Sequence, residues 1–320
     1  MLPVRKDPLF VFLTVLGAVL FLTAISFAQE ARNLQKLSEH VYAYVGIKNA
    51  SPAENSFGAN SGVVIGEDAV LIVDTLISAK EAKRLLADIF KVTGKPIKYV
   101  VNTHYHLDHA WGNAVFVNEG AVVIGHENSR LASAQSEYGL EHCQEFGLTA
   151  SDMKGTILKF PTVTFADVLR IDLGGGVRVD LSYPGASHTG DSIIAYVEPD
   201  NVLFAGDILF TKYHPYLGEG NIPSWEKVLI GLERTPARII VPGHGPVSGV
   251  ADVKDMEAYL KVFDRKAQQL SKGKKQDDAA AVAEELIKAL PDQGRTEIPA
   301  MVESNLREKY FPAAGTAKSK

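Results

Sequence analysis

Cysteine occurs once in the 320 residues, at Cys143. No internal disulfide can form, so apolar burial has to hold the fold by itself, even in an oxidising compartment. The single thiol reads as a small buried apolar group rather than a nucleophile. Positive charge is also scarce, with 33 Lys and Arg against 38 Asp and Glu and a net charge of −5. That balance, with no basic stripe, gives no electrostatic footprint for nucleic acid and points to a small-molecule substrate as the partner. Internal repeats are missing too, and no shift in composition interrupts residues 30–250. Nothing in the sequence fixes an oligomeric state.

What is present begins at the N-terminus. Arg5 and Lys6 precede an almost unbroken apolar run from Leu9 to Ala28, which ends in Ser26-Phe27-Ala28. Small residues at the first and third of those positions fit signal-peptidase cleavage after Ala28. The expected location is therefore periplasmic or secreted. The alternative is an uncleaved anchor facing outward, because the run is just long enough to cross a bilayer. No cysteine lies near the junction to carry a lipid.

Beyond Gln29 short β-rich runs alternate with amphipathic stretches. Val41–Val45, Ser61–Ile65 and Val70–Val73 read as strands, and Ser78 with Glu81 has capping-box spacing ahead of a helix. That helix is expected to carry Ala82, Leu85, Leu86, Ile89 and Phe90 on one face and to stop at Gly94 and Pro96. Ile97–Val101, Val122–Ile124, Leu169–Leu173, Val177–Leu181, Ile193–Val197, Val202–Phe204 and Ile239–Val241 are further strands. Gly174–Gly176 marks a hairpin turn rather than a phosphate cradle. Ser224 is the expected cap of a helix that buries Trp225, Val228 and Leu229. Met256 to Leu270 and Ala279 to Leu290 keep helical character. The expected organisation is a leader or anchor over 1–28, a catalytic domain over 30–250, a helical extension over 251–312 and a disordered tail over 313–320.

The segment that carries chemistry is Thr103-His104-Tyr105-His106-Leu107-Asp108-His109, at the exit of a predicted strand. Imidazole and carboxylate are both zinc ligands. Residues two apart on extended chain project to one side, so His104 and His106 can grip one ion. The following turn can send Asp108 and His109 toward a second. Further candidates lie at later strand ends: His188 in Gly185-Ala-Ser-His-Thr-Gly-Asp191, Asp207 in Phe204-Ala-Gly-Asp-Ile-Leu-Phe210, and His244 in Pro242-Gly-His-Gly-Pro246. Small neighbours let each approach a shared centre. A lone histidine at a strand end is usually structural, but four metal-capable side chains in six residues joined by three more are not. The remaining histidines, His40, His126, His142 and His214, have no ligand-like setting.

In this order the motifs resemble the metallo-β-lactamase superfamily, over about residues 38–250. The resemblance implies an α/β fold, an αβ/βα four-layer sandwich, with the active site at the upper edge of two sheets. It implies a first metal held by His104, His106 and His188, a second held by Asp108, His109 and His244, and Asp207 bridging both. Asp74, in Leu71-Ile-Val-Asp-Thr75, matches the early acidic position that supports the metal loop. Asp191 is a second supporting candidate, and Tyr213 and His214 follow Asp207 closely enough to line a pocket. The implied cofactor is two Zn2+ per chain, with iron or manganese as alternatives. Asp108 would also position the attacking water.

The implied reaction is hydrolysis of an ester, thioester, lactone or lactam bond by activated water. An aspartate at position 207 is similar to glyoxalase II, lactonases and the quinoprotein-relay hydrolases. Antibiotic-degrading enzymes have cysteine or serine there. The C-terminal pattern of basic and aromatic residues that binds glutathione is lacking. Two alternatives stay open: a mononuclear-iron enzyme resembling persulfide dioxygenases, and a β-lactam-hydrolysing β-lactamase. Loops 46–60, 127–160 and 211–223 are expected to line the pocket.

Overall fold

The computed structural model describes residues 34–46, 50–129, 140–291 and 294–311. The expected leader over 1–28 and the tail over 313–320 lie outside the described residues. Seven strands form the first sheet in chain order: β1 (Leu34–Lys36), β2 (Val41–Tyr44), β3 (Ser61–Ile65), β4 (Val70–Val73), β5 (Ile97–Val101), β6 (Val122–His126) and β7 (Val163–Phe165). The first four pair antiparallel, and β4 through β7 pair parallel. The second sheet has the order β12-β11-β10-β9-β8, built from β8 (Val168–Asp172), β9 (Arg178–Ser182), β10 (Ile194–Glu198), β11 (Val202–Phe210) and β12 (Ile239–His244). Only β11 and β12 are parallel there.

The helices are α1 (Pro52–Asn55), α2 (Ala79–Val92), α3 (Leu107–Ala110), α4 (Asn113–Asn118), α5 (Ile222–Leu232), α6 (Val250–Ser271), α7 (Ala279–Ala289) and α8 (Ala300–Lys309). Val64, Leu71 and Val101 of the first sheet meet Leu181, Ala195 and Phe204 of the second in one apolar layer. On the outer face of the first sheet, Ala82, Leu85 and Ile89 of α2 cover Val70, Ile72 and Val100, with Leu86 partly buried against them, whereas Phe90, expected on the same face, is exposed near the end of the helix. On the outer face of the second, Trp225, Met256, Phe263 and Leu286 from α5, α6 and α7 cover Leu203 and Ala205. The order helix, sheet, sheet, helix is the four-layer sandwich. β4 (VLIV) is buried at every position, as a strand covered on both faces must be.

Strands β1 and β7 lie outside the sequence expectation, β6 and β12 run past their expected ends to His126 and His244, and three further departures have a local cause. The Ser78 side chain accepts from the Glu81 amide at 3.3 Å, but the Glu81 carboxylate turns to Arg84 instead of closing the box. Helix α5 starts three residues before its expected position: Asn221 caps it, its side chain accepting from the Ser224 amide at 3.2 Å. Pro223 suits that first turn, where its missing N–H goes unused. Strand β11 runs on past Phe204 to Phe210, with shifts in register against β12 on either side of Gly206. Gly206 has φ +50°, a left-handed kink that glycine adopts cheaply.

Candidate metal centre

The centre is assembled where the parallel strands β4 and β5 end. Asp74 follows β4 at φ +61°, a left-handed conformation that costs a non-glycine residue about 1 kcal/mol or more. Five bonds hold it there, one of them donated by the Ser61 hydroxyl to its carbonyl at 2.8 Å. Its amide donates to the Val101 carbonyl at 2.8 Å. Its carboxylate accepts from the Thr103 amide, the Thr103 hydroxyl and His109 Nδ1, each at 2.8 Å. The end of β4 thereby fixes the loop leaving β5, and Asp74 orients a histidine without joining the cluster itself.

From that loop His104, His106, Asp108 and His109 turn inward. His188 arrives from the loop between β9 and β10, and His244 closes β12. Asp207 sits inside β11, at the kink after Gly206, rather than in a loop beyond the strand. Its room comes from glycine: a Cβ on Gly243 of the neighbouring strand would lie 1.9 Å from Asp207 Oδ1.

All seven expected ligands meet, in two adjoining sets. His104, His106, His188 and Asp207 offer donor atoms within 4.8 Å of one another, and so do Asp108, His109 and His244. Asp207 joins the sets: its Oδ2 is 3.2 Å from His188 Nε2 and 3.4 Å from His244 Nε2, and its Oδ1 is 3.1 Å from His109 Nε2. Asp108 Oδ2 lies 3.3 Å from His244 Nε2.

The hydrogen bonds behind the rings show what these atoms are for. Because the Thr103 hydroxyl donates to Asp74, its oxygen is left to accept from His104 Nδ1 at 3.1 Å. His109 Nδ1 donates to Asp74, and His188 Nδ1 donates to the Tyr216 carbonyl at 3.1 Å. Each of these three rings therefore presents a bare Nε2 to the centre. His104 Nε2 and Asp207 Oδ1 are buried there without a hydrogen-bond partner. His188 Nε2 faces His106 Nδ1 at 2.9 Å. Lone pairs converging at such distances repel unless a proton or a cation lies between them. The residues present fit metal ions.

Electrostatics agree. Burial works against ionisation of Asp207, yet His244, His109, His188 and His104 together hold its carboxyl well below the usual range. Burial works to lower His109, and the carboxylates of Asp207, Asp108 and Asp74 outweigh it, raising the ring well above the usual imidazole value. His244 is raised in the same way to about 9, Asp207 and Asp108 overcoming burial. Burial pushes His188 down to about 3 and His104 well below its usual value. Two carboxylates among five imidazoles make a site that exchanges protons for cations.

The remaining sequence candidates fall as follows. Asp191 is buried and accepts from the Thr189 hydroxyl at 2.6 Å, bracing the His188 loop; no bond to a metal-facing ring joins it to the cluster. Burial raises its carboxyl. Tyr213 and His214 line a cleft of about 780 Å³ that opens onto His106, Asp108, His188, Asp207 and His244. His214, expected to lack any particular setting, is buried, bonded through Nδ1 to Tyr259 Oη at 3.0 Å, and lowered to about 4 by burial and then by Arg295. His40 pairs with Asp200 and His126 contacts the Ala166 carbonyl, both away from the centre. Cys143 is buried. The side chain of His142 lies outside the described residues.

Sequence reasoning missed two contributors. Glu219 accepts from the Tyr105 hydroxyl and sits 3.6 Å from His106 Nε2, on the side of that ring away from the centre. The His106 contacts and the Tyr105 hydroxyl bring its carboxyl down to about 2 despite burial. The second is α8. Ile298 and residues Met301, Ser304 and Glu308 of this helix form a wall of the cleft, facing Phe57, Glu145 and Phe146 from two of the expected loops. No motif marks either contribution, because nothing local ties residues near 300 to the histidine segment.

With the site described, three comparisons bear on descent. The sequence profile of the metallo-beta-lactamase superfamily matches residues 55–244. A linear primary-alkylsulfatase from Pseudomonas sp. (strain ATCC 19151) is 26% identical over 250 residues, covering 66% of this chain but only 47% of the alkylsulfatase, so the chain spans about half that relative's length. A type 2 metallo-beta-lactamase from Bacteroides fragilis is 22% identical over 222 residues, 68% of this chain and 80% of that protein. A metallo-beta-lactamase from Pontibacter korlensis superposes with a TM-score of 0.58 at 23% identity, over 71% of this chain and 98% of its own, a likeness of fold. Layer order, ligand-bearing strand ends and profile coincide: the chain belongs to the metallo-beta-lactamase superfamily, whose metal-dependent hydrolases carry this His/Asp cluster.

Proposed function

We propose that this chain is an exported hydrolase that holds two zinc ions and uses water to cleave an ester, thioester, lactone or lactam. The observation that carries the reading is the junction at Asp207 of two complete donor sets. In this reading His104, His106 and His188 hold one ion, Asp108, His109 and His244 hold the other, and Asp207 serves both. Such a pair, when bound, supplies a water ionised near neutral pH and a positive charge for the acyl oxygen.

The chain's own groups do the rest. Asp74, Thr103 and the Tyr216 carbonyl hold three imidazoles in the tautomer that faces inward, so no reorganisation is needed when substrate arrives. Asp108 lines the cleft beside His244, where its carboxylate can orient the incoming water and take up its proton. The water oxygen joins the acyl carbon, the acyl–O, acyl–S or acyl–N bond breaks, and the departing atom receives the proton.

The second donor set favours this reading over a mononuclear iron dioxygenase, for which His104, His106, His188 and Asp207 would be enough. Metal analysis of purified protein is the test. Two zinc per chain are expected, with Asp108→Asn or His106→Ala abolishing hydrolysis of thioesters, lactones or β-lactams while the fold persists. One iron per chain, or full hydrolysis by either variant, overturns the reading. Export rests on the N-terminal segment: N-terminal sequencing of protein recovered outside the cytoplasm is expected to begin at Gln29, and retention of residues 1–28 would favour the anchor.

A further inference from the structure

We propose that the substrate is a carboxylic ester, thioester or lactone bearing an uncharged apolar tail, and that α8 selects that tail. This rests on the hydrolase reading and names the substrate class of the same site.

Beside the donor groups the cleft carries a continuous run of apolar side chains, with Glu145, Ser304 and Glu308 as polar points in its wall. Leu107 and Phe210 flank the donors, and Phe57, Phe146 and Tyr213 continue the surface. Ile298 and Met301 complete it from the C-terminal side. A substrate whose reacting bond sits at Asp108 and Asp207 has the rest of its body against these side chains. At about 780 Å³ the cleft is in the range that encloses most of a drug-sized molecule.

Charge narrows the class further. Among the described residues lining the cleft there is no lysine or arginine, while Glu145 and Glu308 both lie on it. Glu308 is fixed in place, accepting from the Tyr216 hydroxyl at 2.7 Å and from the Ser304 hydroxyl at 2.9 Å. A carboxylate or sulfate on the tail would face these two acids, with no lysine or arginine among the described lining residues to pair with, an arrangement that disfavours anions. A neutral alkyl or aryl tail meets no such penalty.

The wall is built in, not laid over the site. The Glu297 carbonyl accepts from the His214 amide at 3.2 Å, and Lys309 reaches the Gly220 carbonyl at 2.5 Å. Asn305, fully buried, accepts from the Leu217 amide at 2.6 Å and donates to the Pro215 carbonyl at 2.8 Å. Met301 is thereby held across from Phe57 and Phe146 before any substrate enters.

The experiment uses the zinc-loaded protein and p-nitrophenyl esters of acetic, butyric, hexanoic and octanoic acids, with the mono-p-nitrophenyl ester of adipic acid as an anionic tail of matching length. Expected is a rise in kcat/KM of about two- to fourfold per methylene from butyrate to octanoate, with the adipate ester roughly tenfold or more below hexanoate. Met301→Glu should flatten the series, cutting the octanoate-to-acetate ratio of kcat/KM about tenfold. Independently of turnover, N-octylacetamide should bind by calorimetry at least about tenfold more tightly than N-butylacetamide, and Met301→Glu should erase the difference. Turnover that ignores tail length or charge, or octyl sulfate hydrolysed in preference to the octanoyl ester, overturns the inference and leaves the hydrolase reading standing. Tail-dependent amide binding without turnover of any ester, thioester, lactone or lactam sinks the hydrolase reading, and the proposed substrate class with it; turnover of lactams alone overturns the substrate class and leaves the hydrolase reading standing. Equal binding of the two amides overturns the tail itself.

Discussion

At the scale of single residues, the centre depends as much on what is small as on what coordinates. Asp207 occupies its position because position 243 has no side chain: a Cβ there would lie 1.9 Å from its Oδ1. Gly243→Ala is therefore expected to displace the carboxylate that joins the two donor sets and to lower both bound metal and hydrolysis by about tenfold or more, measured by elemental analysis and rate. Gly231→Ala is the control, since a Cβ at that position on α5 meets nothing within 4 Å. It should leave activity alone and stabilise the fold by up to about 1 kcal/mol. Loss of metal from both variants, or from neither, would remove the role assigned to Gly243. The residues that bind were legible in sequence because histidine and aspartate at this density have few other uses. Glu219 was not, because a single glutamate 110 or more residues from its partners looks like any other surface acid.

Among the elements, the C-terminal segment is the one whose role the linear order conceals. Asn305 bonds the chain on either side of Tyr216, and the Tyr216 carbonyl takes the Nδ1 proton of His188. Asn305→Ala should thus cost about 2 kcal/mol of stability, the amount typical of leaving buried partners unsatisfied, and should also weaken zinc retention against a competing chelator. Asn305→Asp keeps the acceptor and loses the donor, so it belongs between the two. Unchanged zinc affinity in a destabilised Asn305→Ala protein would reduce the residue to packing. The same segment brings Arg295 onto the Tyr259 ring, 4.7 Å from its centre, beside the His214–Tyr259 bond. His214 has a folded pKa of about 4 against an ordinary value of 6.5, so the unfolded chain binds more protons between those values. Stability from this group is complete above pH 6.5 and is lost as pH falls toward 4, by up to about 3 kcal/mol. Thermal melts from pH 7 to 4 should show a shallower acid loss in His214→Gln than in the parent, and parallel curves would count against the assignment.

For the whole molecule, two sheets and their outer helices bury a large core without any disulfide, and the donor sets sit at one edge of that core. Removing the metal of the proposed centre should leave the sandwich folded while leaving Asp108, Asp207 and the five imidazoles to compensate one another's charge. Binding to the folded state alone adds stability in proportion to ligand concentration over affinity. A chelator is therefore expected to lower Tm by several degrees with the far-ultraviolet spectrum retained, and added zinc should restore Tm where magnesium does not, since imidazole nitrogen suits zinc. Collapse of the secondary structure on chelation would mean that the metal holds the fold as well as the chemistry.

Much of this was written in one dimension. The alternation of strands and helices follows from β-rich runs interleaved with helical faces, while the four-layer arrangement is implied only by the resemblance that the ligand motifs carry; seven of the expected strands lie within one residue of their observed bounds at both ends. Four of the seven donors declare themselves by their density in one short segment after β5, and His188, Asp207 and His244 by lying on or just beyond strands next to small residues. These are local properties, set by side-chain period, turn chemistry and residue type. Others depend on distance through space: the continuation of β11 past its kink, which only the partner strand β12 sustains, and the reach of Glu219 behind His106. The seating of α8 against the cleft is of the same kind. Such contacts join residues tens to hundreds of positions apart, where chain order carries no force and only the packed core decides what touches what.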